Sequence, residues 1–170
     1  MKTINITKKR GNNSPLDFAL GNGKRLQFTS KRLANKFIAD TNRYLTKCLV
    51  VLNLTYMDVF REYRLLWFVG SNSNNGNTTN YRNIEQSIKS NLQTADFMFD
   101  KFNFADSGSS DPFFSFIDLR KAAMFLQQAA DTMASFHKKR NNTAAYYNCI
   151  VLADRCQAVM NKLDDYDYVN

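Results

Sequence analysis

Proline occurs only twice and glycine six times in 170 residues, so long stretches hold nothing that breaks or bends a helix. Long charge-free apolar runs are missing as well. The stretch 48–57, in the apolar centre, is 10 residues long, against the roughly 20 a membrane-spanning helix needs. Residues 1–10 lead into Gly11-Asn12-Asn13 rather than an apolar run, which does not read as a secretory signal. Three cysteines are too few and odd in number for a disulfide framework, and fit a reducing compartment such as the cytosol.

Chemistry is scarce too. His137 is the single histidine, and Glu62 and Glu85 are the only glutamates, which excludes the Glu and Glu-x-x-His sets of di-iron bundles. No Gly-rich phosphate loop or nucleophile elbow occurs. Positions 131 to 133 before His137 are Asp131, Thr132 and Met133, so the Arg-His pair of HEPN-type helical ribonucleases is absent. Asp96 and Asp100 lie one turn apart and read as a solvated face. Cys48, Cys149 and Cys156 would have to converge with a fourth ligand to hold zinc. They read instead as small buried apolar residues. No catalytic residue, cofactor or metal site is expected, and no enzymatic activity. Asn-x-Ser/Thr sequons at Asn5, Asn12, Asn53, Asn77 and Asn141 are what chance gives a chain with 20 asparagines.

What is present is a folded-protein composition, 44% hydrophobic, 14% aromatic and 22% charged, in a length suited to one domain. Its charge is polarised. Residues 1–47 carry 11 Lys+Arg against Asp17 and Asp40, a net of +9, so with +8 overall the remaining 123 residues sum to −1. The far end holds Asp164, Asp165 and Asp167. Such polarity points to a charged partner or to head-to-tail contact between copies.

Residues 1–29 read as an extended basic N-terminal arm, with turn residues around Gly11–Pro15 and Gly21–Gly23 and two β-capable pieces at 3–7 and 25–29. Residues 30–170 read as a helical domain. From the N-cap Ser30, apolar residues at helical spacing (Leu33, Phe37, Tyr44, Cys48, Leu52, Val59, Leu66) predict one long helix over 31–69, with Asn53 a candidate break. The polar stretch 71–80 is a loop. Ile84, Ile88, Leu92, Ala95 and Phe99 predict a second helix over 81–102. Asp111-Pro112 opens a third, 112–139, with Phe116, Leu119, Ala123, Leu126, Ala130 and Met133 inward, and with basic residues in its last turn to complement the helix dipole. Asn141-Asn142 turns the chain into a fourth, 143–164, with Tyr146, Ile150, Ala153, Cys156, Met160 and Leu163 inward. The economical fold is all-α, an antiparallel four-helix bundle with one long helix and the basic arm.

Aromatic residues outnumber what one inward stripe per helix can use, Phe60, Phe97 and Phe104 among them. Trp67 and Phe68 at the end of the first helix, and Phe113 and Phe114 opening the third, are candidate partner-binding residues. Lys8, Lys9, Arg10, Lys24 and Arg25 of the arm are candidates for contact with protein or with phosphate. The arm holds only Phe18 and Phe28 as aromatics and no base-reading motif, so any contact with nucleic acid is expected to be non-specific.

With the Lys/Arg-studded start of the first helix (Lys31-Arg32-Leu33-Ala34-Asn35-Lys36-Phe37-Ile38), the arm before it and the Asn/Tyr/Phe-rich loops, the chain resembles small virion proteins of tailed bacteriophages, in particular crAss-like phages of gut bacteria. The resemblance implies a non-enzymatic structural protein of the capsid or head-tail connector, located in the virion and assembled in the host cytoplasm. It also implies a homo-oligomer whose arm contacts neighbouring virion subunits. The alternative is a helical bundle that binds nucleic acid through the arm.

Overall fold

The computed structural model describes residues 17–19, 25–27, 30–71, 78–105 and 112–166. The architecture is all-helical at its centre, with α1 (Lys31–Ser71), α2 (Thr78–Ala105), α3 (Pro112–Lys139) and α4 (Thr143–Asp164) around one apolar core. Ahead of them, β1 (Asp17–Ala19) pairs antiparallel with β2 (Arg25–Gln27), Phe18 opposite Leu26. β2 falls inside the piece expected at 25–29, whereas the one expected at 3–7 lies outside the described residues. The capping role expected of Asp111 lies outside them too.

The hydroxyl of Ser30 accepts from the Leu33 N–H at 3.2 Å and starts α1. The helix then runs unbroken through Asn53 for 41 residues, about 60 Å at 1.5 Å per residue. Asn53 is only half-buried, so its amide needs no partner from the helix backbone. Leu33, expected inward, is 48% exposed. The reason is overhang. The Thr41 and Tyr166 hydroxyls bond at 2.6 Å where α4 has just ended, and Leu33 lies 8 residues, or about 12 Å, before that level.

Side-chain bonds fix the direction of each helix against its neighbours. Tyr44 donates to the Lys162 carbonyl and Arg155 pairs with Asp58 at 2.9 Å, so α1 and α4 run in opposite senses. The same holds for α1 and α2, where the Tyr81 hydroxyl donates to the Leu66 carbonyl at 2.8 Å and Tyr56 meets Phe99 edge-on at 5.9 Å. Arg120 grips Asp164, and Gln127 meets Gln157, along the seam of α3 and α4.

α3 touches all three other helices. Its buried face carries Ala122, Ala123, Ala129, Ala130 and Ala134, whose small side chains let neighbouring backbones approach on several sides. The turn after it is a Schellman motif. Asn142 N–H donates to the His137 carbonyl at 3.0 Å and Asn141 N–H to that of Lys138 at 3.2 Å, with Asn141 at φ 58°. Asparagine tolerates this left-handed conformation better than other non-glycine residues. Asn142 then caps α4, its side chain accepting from Ala145 N–H at 3.3 Å. Two consecutive asparagines thus end one helix and begin the next.

Candidate functional site: the outward face of the first helix

The inward face of α1 is built by Leu45, Leu49, Leu52, Val59 and Leu66. On the opposite side, where a surface helix is ordinarily polar, stand Val50, Leu54, Met57 and Leu65, all exposed, with Phe60 beside them. Single exposed apolar residues are common on protein surfaces. Here they follow one another at spacings of three to eight along about 22 Å of one helix face, an arrangement that makes this face a candidate contact surface. Leu54 and Met57 expose 56% and 62% of their surface.

Next to this stripe lies a hollow of about 520 Å³ lined by Tyr56, Met57, Phe60, Arg61, Arg64 and Leu65. Its aromatic wall is fixed from behind, since Tyr56 stacks on Phe60 at 6.2 Å and Phe60 leans on Tyr63 at 6.1 Å. Arg61 and Arg64 give its rim positive charge. A second, smaller outward patch on α4 combines Tyr147 and Val151 with the exposed Asp154 one turn on. The first patch thus has two arginines on its rim, and the second has an aspartate at one end and Lys138 near Tyr147 at the other.

Of the residues expected to bind partners, Lys8, Lys9, Arg10 and Lys24 lie outside the described residues. Arg25 pairs with Ala19 across the two strands. Trp67 and Phe68 lie in the last turns of α1, and Phe113 and Phe114 in the first turn of α3. The side chains of these five lie outside the described residues. Phe60 and Phe97, expected as surplus aromatics, are exposed at 40% and 59%. Leu65 belongs to the apolar cluster 65–69 that the sequence marks at the end of the first helix, whereas Val50, Leu54 and Met57 are not singled out, because apolar residues on both sides of one helix obey the same period. The available signal was their density.

The titratable groups gather elsewhere. Glu62 of α1, His137 of α3 and Cys149 of α4 bring a carboxylate oxygen, a ring nitrogen and a sulfur within 4.8 Å of one another. Burial raises the Glu62 carboxyl above its usual range, with Asp58 adding to the rise and Arg61 opposing it. Burial lowers His137, and the nearby Arg140 lowers it further. Burial pushes the Cys149 thiol up to about 12, with the Glu62 charge adding to it. All three environments disfavour the charged form. That is the reverse of what a nucleophilic cysteine needs. Cys48 and Cys156 are buried in the core, as their periodicity predicts, away from this group. Asp96 and Asp100 are exposed. Among the described residues, no helix is long and apolar enough to cross a membrane.

Compared with protein-family models, with curated proteins and with solved structures, the chain matches none.

Proposed function

We propose that the chain is a non-enzymatic assembly protein, an antiparallel four-helix bundle with an extended basic arm at 1–29, that associates with further copies of itself through the outward face of α1. The observation that carries this reading is the apolar stripe of Val50, Leu54, Met57 and Leu65 with Arg61 and Arg64 on its rim. The α4 patch of Tyr147 and Val151 on a neighbouring copy would complement its apolar surface, with the exposed Asp154 set to meet Arg61 or Arg64. Two different patches meeting is a heterologous contact, which closes a ring or continues as a lattice. A structural component of a phage virion, in the shell or in the connector between head and tail, is the setting in which such a protein works.

Light scattering on the full-length protein, at low and high salt, tests the reading. A discrete oligomer that Met57→Glu and Leu54→Glu together reduce to the monomer supports it. Deleting residues 1–29 should loosen the same oligomer, since it removes Lys2, Lys8, Lys9, Arg10, Lys24 and Arg25 against Asp17, a net of +5. A monomer that carries nucleic acid, stripped off by salt, overturns it in favour of phosphate binding by the basic segment.

A further inference from the structure

His137 stands in the last turn of α3, 8% exposed, and its buried Nε2 has no hydrogen-bond partner among the described residues. A buried polar atom left unpaired forfeits the hydration it had in the unfolded chain, so it needs a reason to be there. Its ring is held in place from outside the group. Phe136 packs edge-on to it at 5.5 Å, and the His137 carbonyl is pinned by the N–H groups of Arg140 and Asn142 in the Schellman turn. Among the described residues, a ring nitrogen of His137 comes within 4.8 Å of the sulfur of Cys149, fully buried in α4, and of a carboxylate oxygen of Glu62, half-buried in α1.

We propose that Glu62, His137 and Cys149 bind one divalent transition-metal ion, Zn²⁺ by preference, which fastens α1 to the α3–α4 hairpin. Imidazole, thiolate and carboxylate together are a donor set that zinc accepts. The ligand atoms lie within 4.8 Å of one another, and bond lengths of about 2.0–2.3 Å with tetrahedral angles ask for separations of roughly 3.3–3.6 Å. Small side-chain rotations on three helices close that difference. The charges balance as well, since a thiolate and a carboxylate neutralise a dication in a place that tolerates no net charge. On binding, the Cys149 thiol gives its proton to solvent and no electron is transferred. Glu62, at the half-buried edge, gives the ion its way in, and the fourth position is left to water. This inference is independent of the assembly reading, because none of the three residues belongs to the exposed stripe.

The test is a titration of the full-length, untagged and fully reduced protein with Co²⁺ after treatment with a chelator, followed by displacement with Zn²⁺. The expected result is one Co²⁺ per chain, with a thiolate-to-cobalt charge-transfer band and the visible bands of a four-coordinate ion, both abolished by Zn²⁺. Cys149→Ser should lose the charge-transfer band while Cys156→Ser keeps it. Glu62→Gln, at the half-buried rim, leaves the core intact and keeps the test decisive if Cys149→Ser fails to fold. It should weaken Zn²⁺ binding at least about tenfold, since loss of even an outer-shell partner costs about 10–100-fold. Absence of the charge-transfer band in the unaltered protein overturns the proposal, as does Zn²⁺ affinity unchanged by Glu62→Gln.

Discussion

α3 and α1 both contribute to the core, and they spend their surfaces differently. α3 is lined with buried alanines, and every described apolar residue along it is buried or half-buried against its neighbours. α1 places Leu45, Leu49 and Leu52 inward yet carries Val50, Leu54 and Met57 on its back. The contrast separates residues that make the fold from residues left over after it is made. Damage to α3 should therefore appear as instability, and damage to the outer side of α1 as altered association.

The sharpest way to break this division is Leu126→Ala on α3. Leu126 is fully buried, and the cavity should cost about 2–5 kcal/mol in chemical denaturation. A loss below 1 kcal/mol would mean that α3 is not the packing centre. Ala130→Leu probes the same helix in the other direction. Ala130 is fully buried, so the larger side chain should cost about 1–3 kcal/mol, read as a lowered unfolding midpoint. Tyr81→Phe removes the bond to the Leu66 carbonyl that ties α2 to α1, and should cost about 0.5–1.5 kcal/mol by the same measurement. Met57→Glu, 62% exposed in the monomer, should change stability by no more than about 0.5 kcal/mol while lowering the mass seen by light scattering. If it destabilised the monomer by several kcal/mol, the outward face would be part of the core.

α3 and α4 begin and end where the apolar period and the Asn141-Asn142 turn place them, because each carries one uninterrupted stripe and clear boundary residues. α2 was harder to delimit. It starts at Thr78, three residues before the first apolar position at Tyr81, since Thr-Thr-Asn reads as loop until a neighbouring helix supplies Tyr81 with a partner. Leu33 has the right spacing for the core and lies beyond its edge, which a period cannot register. β1 was missed because three residues pair only through their neighbour. Least legible was the meeting of Glu62, His137 and Cys149. Their separations of 75 and 12 residues place them on three helices, so packing alone brings them together.

The Asn141-Asn142 turn also bears on the order in which the molecule assembles. α3 and α4 are joined by three residues, so their pairing closes almost no loop and its entropic cost is small. The bonds from Thr41 and Tyr44 to Tyr166 and Lys162 span 125 and 118 residues of chain. Contacts of such separation form late, once local ones have restricted the chain. The α3–α4 hairpin is accordingly the expected nucleus, and the start of α1 the segment expected to dock last and to let go first. In hydrogen exchange, the amides near Tyr44 should lose their protection before those around Leu126.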